Sequence, residues 1–546
     1  MRTIAFWTLL IIGGVLRFYS IDSKTMWLDE AFSVWVANNT LSELFGWLVQ
    51  IDQHPPLYYT LLHFWQQAFG DLQGEVRAFS ALCSTLAMPL VYLAARRLLN
   101  PNIALVTLFI LALSPFHVRF AQETRMYGLL TLTVALALFA ISHLWSDQPG
   151  ETRSRRWLYL LIPAQLAVML THNTATVYFT VSLNIAILGL ALWHRLRGDM
   201  ARRANLYPFN LVEGEADDTA EFDESYNKDE PKAQAYSLIP QGNFVPGWVL
   251  LQSVIVALWA MLWGGPFVKQ VVGVDREFWI PPLTLQWVWN NIHNLQLQSL
   301  PGWLEYKPYW HFYYWDIVYF ILAFCGIIWL IRRRPSRAWL LSILYFVPLI
   351  ISVLVSLRRP IFYDRTLIWV TLPYFMLLAT GVVWLGNSLK SMGRWASVSA
   401  VSLLLALILF LSGLSLSSHY FYSPKEDWAK ASDYVASNIQ SDEMILFNAS
   451  WVQIPFEYYL RHYDVEPELR GLPVDLFDAG ILEPKMQEDV IPYMRELLAD
   501  ESSVWLVYSH DWYTDPEQII PGELSNQMTL KDDQSFVGLR VMRFEK

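Results

Sequence analysis

Apolar runs near the roughly 20 residues needed to cross about 30 Å of hydrocarbon recur along the first three quarters of the chain. They fall near 2–19, 77–96, 102–118, 126–145, 157–171, 174–194, 246–265, 313–331, 338–357, 366–386 and 395–416, which predicts about eleven transmembrane helices. The run at 157–171 is short and flanked by polar residues. After residue 416 the periodicity changes. Helix-like stretches at 428–439, 452–460 and 486–498 alternate with short apolar runs at 444–447, 503–508 and 538–544, a pattern that predicts a small α/β domain over 417–546. No Gly-rich phosphate loop follows its first strand, so nucleotide binding is weakly supported there.

The connections test the topology. Lys and Arg concentrate on the cytoplasmic side of membrane spans. With the N-terminus inside, alternate connections carry Arg2; Arg96 and Arg97; Arg153, Arg155 and Arg156; Arg195, Arg197, Arg202 and Arg203; Arg332, Arg333, Arg334 and Arg337; then Lys390 and Arg394. The alternation places residues 21–76, 119–125, 266–312, 358–365 and the C-terminal domain on the external face of the cell (inner) membrane. The first apolar run also resembles a signal peptide. Arg17 and Tyr19 stand where small residues would mark cleavage, so it is read as a retained anchor.

Composition and charge sharpen this picture. Among 546 residues only 16% are charged and 54% are hydrophobic, which excludes disordered, coiled-coil and collagen-like classes. The net charge of −10 is partitioned: 417–546 carries −14, 211–232 carries −7, and the remainder carries +11. A basic membrane part with acidic appendages lacks the uninterrupted basic face that duplex binding needs, so no nucleic-acid partner is expected. The acidic, proline-punctuated stretch 204–240 reads as a disordered cytoplasmic connection. Cys83 and Cys325 both lie in apolar runs and build neither a disulfide framework nor a zinc site. Many of the 26 Trp residues sit beside span ends, as an interfacial belt would place them.

Ionisable groups near a membrane are costly unless paired or functional, and here they gather on the external side. Asp29 and Glu30 stand among aromatic and apolar neighbours in Met26-Trp27-Leu28-Asp29-Glu30-Ala31-Phe32. A carboxylate there can act as general base, or the pair can simply favour a helix start. His54 precedes two prolines that fix backbone direction; it can donate to a phosphate oxygen or stand solvated at a helix start. Glu123 and Arg125, confined to a short connection, can pair with each other, or offer an acid to an acceptor and a guanidinium to a phosphate. Arg358, Arg359 and Arg365 break the positive-inside trend, with Tyr363 between them. They can grip a phosphate or bind lipid headgroups. His172 ends a span on the same side.

These clusters, in this order, resemble the bacterial GT-C glycosyltransferases of family 39, relatives of protein O-mannosyltransferases and of lipid A aminoarabinose transferases. The residues concerned are Trp27-Leu28-Asp29-Glu30, His54-Pro55-Pro56-Leu57, Gln122-Glu123-Thr124-Arg125-Met126-Tyr127 and Tyr363-Asp364-Arg365. The resemblance covers about residues 1–390. It implies inverting transfer of a sugar from a polyprenyl-phosphate donor to an acceptor glycan, lipid or protein at the external face. Asp29 would be the general base, Glu30 its neighbour that orients it, and Glu123 the second acid. Arg125 and Arg365 would lie near the donor phosphate, and His54, Tyr127, His172, Arg358, Arg359 and Tyr363 would complete substrate binding. No metal site is expected and no cofactor is required, although Asp29 with Glu123 could hold a divalent cation. Thr124 departs from the Ala common in relatives. The alternatives are a transporter or lipid flippase, which mid-span acids and paired broken spans would favour, and a receptor anchored by the membrane part.

Overall fold

The computed structural model describes residues 1–52, 54–145, 153–154, 156–196, 211–212, 244–273, 280–300, 313–440, 443–476 and 485–546. The acidic connection at 204–240 lies outside them, apart from Leu211–Val212, a two-residue strand paired in parallel with Arg153–Ser154. The chain divides into two compact units. One comprises Met1–Tyr19, Ser80–Ala121 and Met126–His419; the other comprises Ser20–Phe79, Gln122–Arg125 and Tyr420–Lys546.

The first unit is helical. Among the described residues, eight helices are long and apolar enough to cross a membrane, or nine if Pro101–Leu113 and Pro115–Ala121 form one bent span. Every one of the eleven expected runs is helical. The count by length is lower because Arg2–Phe18 and Arg156–Thr171 have only 17 and 16 residues. The 54° bend follows from Ser114-Pro115: a residue before proline is driven out of the α region, and Ser114 is extended. Asn100 starts the same span by accepting from the N–H groups of Asn102 and Ile103, both at 2.9 Å, with Pro101 at the first helical position. Arg17 is fully buried and binds Ser84 Oγ at 2.9 Å and the carbonyls of Gly13 and Leu111 at 2.9 and 3.1 Å, which satisfies a charge otherwise costly inside a bundle.

Burial grades the helices from centre to lipid face. The segment Asp364–Met392 is 89% enclosed and Tyr127–Leu144 83%, whereas Val245–Val271 and Arg394–Tyr422 are each 22% enclosed. Exposed Leu403, Leu409 and Phe410 on the last of these suit hydrocarbon rather than water.

The second unit is built on a five-stranded sheet. Its strands β1 (Met444–Phe447), β2 (Glu468–Gly471), β3 (Ser503–Ser509), β4 (Thr529–Phe536) and β5 (Leu539–Glu545) lie in the order β2-β1-β3-β5-β4. β1 runs parallel to β2 and β3, while β5 is antiparallel to β3 and β4. Side chains alternate across a strand, and both faces of β1 and β3 are covered. Met444, Leu446, Val504, Leu506 and Tyr508 enter one core; Ile445, Phe447, Trp505 and Val507 enter the other.

That second core also takes in the early chain. Helix Leu28–Asn38 sets Leu28, Ala31, Phe32 and Trp35 against it, at the spacing of one helical face. Helices Leu41–Gln50 and Leu57–Phe69 follow, the first opened by a capping box between Thr40 and Glu43. The sequence reading assigns 21–76 to the membrane part and separates it from 417–546. In the structure these segments share one unit.

Candidate active site

Asp29 and Glu30 occupy the first turn of helix Leu28–Asn38, where the helix dipole favours negative charge. Successive helical residues point about 100° apart, so the two carboxylates face different surroundings. Glu30 has no exposed surface, whereas the Asp29 side chain is 26% exposed.

The buried carboxylate is fully engaged. Arg77 donates Nε to Glu30 Oε1 at 2.7 Å and Nη2 to Oε2 at 2.8 Å. The Thr124 N–H reaches Oε1 at 2.9 Å, and Lys425 Nζ reaches Oε2 at 2.7 Å. Burial alone would raise the Glu30 carboxyl; Arg77 and Lys425 outweigh it and hold the group down at about 2. Lys425 also stands 3.8 Å from Glu123 Oε1. Burial lowers the Lys425 ammonium against the pull of Glu30 and Glu123. Glu30 thus joins residues 20–30, helix Gln73–Leu98, the 122–125 connection and the C-terminal segment.

Asp29 is held through Arg125. The guanidinium lies 3.8 Å from Asp29 Oδ2 and donates to the Asp29 carbonyl at 3.2 Å, to Ser33 Oγ at 3.2 Å and to Tyr59 Oη at 3.3 Å. Tyr59 bonds in turn to Asp52, whose Oδ1 accepts from His54 Nδ1 at 2.8 Å. Burial works to raise Asp52, but the neighbouring His54, Arg125 and Tyr59 prevail and lower it. Burial raises the Tyr59 phenol well above its ordinary range, so it stays an O–H donor to Asp52. A chain of polar contacts therefore runs from Asp29 through Arg125, Tyr59 and Asp52 to His54. Its chemistry is that of a partly exposed carboxylate beside a fixed guanidinium, able to take a proton while positive charge stands next to it.

Asp29, Glu30, His54, Glu123 and Arg125 thus all lie in this unit. Sequence reasoning missed Arg77, Tyr59 and Lys425. Arg77 carried a signal, a charge at the mouth of an apolar run. Lys425 carried none, because its partner Glu30 lies 395 positions away. Among the described residues, no group of three His, Cys, Asp or Glu side chains is placed to hold a metal ion.

The remaining expected residues belong to the helical unit. Tyr127 is buried at the start of its helix, with ring centroids 4.9 Å from Phe120 and 6.2 Å from His172. His172 Nδ1 accepts from the Thr174 N–H at 3.2 Å, which leaves the ring proton on Nε2. Arg358 is exposed, and Arg359 donates to the Val271 carbonyl at 2.9 Å. The Arg365 guanidinium lies 4.9 Å over the Tyr363 ring. Between them Asp364 is pinned: its N–H donates to Asn291 Oδ1 at 2.7 Å and its Oδ2 accepts from Asn294 at 2.7 Å.

Residues 53–206 match the family model described as dolichyl-phosphate-mannose-protein mannosyltransferase. A comparison with curated protein sequences finds no match. Among solved structures, ArnT from Cupriavidus metallidurans in the apo state aligns over 99% of this chain and 97% of its own, with TM-score 0.56 and 14% identity. The same protein bound to undecaprenyl phosphate aligns over the same shares, with TM-score 0.53 and 15% identity. The archaeal oligosaccharyltransferase AglB from Archaeoglobus fulgidus, in complex with an inhibitory peptide and a dolichol-phosphate, aligns over 99% of this chain and 74% of its own, with TM-score 0.54 and 11% identity. At such identities the likeness to the solved structures is one of fold. With the multi-pass helical unit, the sheet unit and the family match over 53–206, the chain shares its fold with membrane glycosyltransferases of the GT-C class and is similar over 53–206 to the O-mannosyltransferases.

Proposed function

We propose that the protein transfers a glycosyl group from a polyprenyl-phosphate carrier to an acceptor hydroxyl or similar nucleophile on the external face of the inner membrane, with inversion at the anomeric carbon and Asp29 as general base. The N-terminus is cytoplasmic and the C-terminal unit external in this reading, following the alternation of basic connections. The observation that carries it is the asymmetry of the adjacent acids. Asp29 keeps exposed surface beside Arg125, while Glu30 is closed off by Arg77, Lys425 and the Thr124 N–H.

In a single in-line displacement the acceptor O–H must lose its proton as the oxygen attacks, and a positioned carboxylate takes it. The departing carrier phosphate needs positive charge or hydrogen-bond donors rather than an acid. Arg125 and Arg365 are assigned to that phosphate, with Arg358 and Arg359 as further cations along the same external connection. Glu30 acts as a positioning residue and Glu123 as the second acid, near Lys425. No metal is required for this step. A polyprenyl phosphate bound to ArnT and a dolichol-phosphate bound to AglB support the carrier class.

The test is incubation of purified full-length protein with a panel of radiolabelled polyprenyl-phosphate sugars, followed by assay of donor turnover and product attachment. Turnover by the wild type and its loss in Asp29→Asn support the reading. An Asp29→Asn variant with undiminished turnover removes Asp29 from the base role, and a failure to consume any donor removes the carrier class.

A further inference from the structure

A polar hollow lies in the helical unit, away from the acid cluster in sequence. It has a volume of about 300 Å³ and is lined by one face of helix Leu285–Gln296, by the turn after that helix and by Tyr363-Asp364. Trp287, Asn290, Asn291, Asn294 and Gln298 recur at the spacing of a helical face. A helix usually turns an apolar stripe inward; this one lines a cavity with amides. Asn291 and Gln298 are buried and Asn290 and Asn294 half-buried, so the surface they form suits a polar occupant better than an apolar one.

The walls are built in advance. Asn291 donates to the Trp287 carbonyl at 2.8 Å and accepts from the Asp364 N–H at 2.7 Å; Asn294 donates to Asp364 Oδ2 at 2.7 Å. Gln298 donates to the Asn294 carbonyl at 3.0 Å and accepts from Arg119 at 2.9 Å. Trp287 is locked by its indole N–H on the Phe362 carbonyl at 2.7 Å and stacks with Tyr363 at 5.8 Å. Tyr313 stacks on His293 at 3.8 Å.

These bonds leave much of the amide capacity unused. A primary amide offers two N–H donors and two acceptor lone pairs. Among the described residues, the Asn290 side chain uses only its carbonyl oxygen, toward Gln286, and that of Asn294 only one N–H. Among the described residues no lysine or arginine lines the hollow, although Arg119 bonds the lining Gln298, and Asp364 places a carboxyl group on its wall. Groups that both donate and accept, held rigidly beside a carboxyl group, suit hydroxyls rather than a phosphate or a carboxylate.

We propose that this hollow is a subsite for an uncharged polyhydroxylated sugar ring. The proposal deepens the glycosyl-transfer reading and rests on it for the source of the ring, which is either the glycosyl group of the donor or a sugar of the acceptor. Asn290 and Asn294 read its hydroxyls. Arg365, whose N–H is fixed on Asp364 Oδ1 at 2.6 Å, follows directly in the chain.

The experiment is saturation-transfer NMR on the full-length protein with the methyl glycosides of glucose, mannose and galactose, and with glucuronic acid. At least one neutral glycoside should give a signal that falls about tenfold in Asn290→Ala/Asn294→Ala, with glucuronic acid weaker. Asn290→Ala alone, which breaks a single contact within one helix, should give an intermediate loss at unchanged melting temperature. Suppression of the signal by the sugar-bearing carrier but not by the bare polyprenyl phosphate assigns the ring to the donor; persistence in both assigns it to the acceptor. Absence of a signal for every neutral glycoside, equal binding of glucuronic acid, or full binding by the variants overturns the proposal. A glycoside signal together with an active Asp29→Asn variant would remove the assigned base and leave this subsite standing.

Discussion

Arg77 and Glu30 form a two-pronged ion pair in which neither side chain has appreciable exposure, with N–O distances of 2.7 and 2.8 Å. Removing one partner of such a pair strands the other charge in a dry interior, at a cost of about 3–5 kcal/mol. Arg77→Met is therefore expected to lower the melting temperature sharply. The pH dependence follows from sign. The folded Glu30 carboxyl sits at about 2, below its ordinary 4.5. Its contribution is complete above about pH 4.5 and is lost as the pH falls toward 2. Melting curves taken between pH 6 and 3 should fall more steeply for the wild type than for Glu30→Gln; parallel curves would refute the assignment.

Neighbouring acids in one helical turn should respond to substitution in opposite ways. Asp29→Asn should reduce turnover about 10²–10⁴-fold, the usual worth of a positioned base, with little change in melting temperature because that side chain is partly exposed. Glu30→Gln should instead reduce stability and yield. Side-by-side measurement of kcat and melting temperature separates the two roles. Equal losses of stability in both variants would mean that Asp29 is structural as well.

The helical unit depends on a close backbone crossing. Helix Tyr314–Arg333 packs on helix Thr371–Ser388, and a Cβ on Gly326 would strike the Leu377 carbonyl while one on Gly381 would strike that of Leu322. Small residues at such crossings let membrane helices approach. Both contacts are with backbone, which cannot turn aside. Gly381→Ala and Gly326→Ala should each force the helices apart and lower the yield of folded protein, whereas Gly413→Ala, with open space around it, should not. Fluorescence-detected size exclusion of tagged variants reads this directly.

Local chemistry was legible in the sequence, and long-range pairing was not. Apolar runs located the eleven expected spans but not helix Leu285–Gln296, and short continuous apolar runs at 444–447 and 503–508 marked the two central strands, which are buried on both faces. The edge strands Glu468–Gly471 and Thr529–Phe536 escaped because edge positions tolerate polar, exposed side chains that carry no apolar run. The bend before Pro115 was written in the chain but masked by unbroken hydrophobicity around it. In the site, the motif residues stood out as charges among aromatics. Of their partners, Arg77 showed only as a charge at the mouth of an apolar run, and Tyr59 and Lys425 did not stand out, since a pairing between Glu30 and Lys425 is a property of the fold and has no local spacing. Glu30 illustrates the limit: its type and position suggested chemistry at a surface, and only packing shows that it is enclosed.

The sequence leaves the role of the C-terminal segment open. The structure gives it a supporting part. Tyr459 Oη accepts from the Met26 N–H at 2.7 Å, Glu426 accepts from the Leu28 N–H at 3.4 Å, and Lys425 binds Glu30. Ala31, Leu28, Phe32 and Trp35 pack into the same core as Trp428, Phe447 and Trp505. Helix Leu28–Asn38 thus owes both its start and its buried face to residues beyond 420. Deleting 420–546 should abolish donor hydrolysis along with transfer. Lys425→Ala, which leaves that core intact, should lower kcat more than donor KM, and Lys425→Arg should restore part of the loss. Hydrolysis that survives the deletion at wild-type rate would show that Asp29 keeps its place without this support.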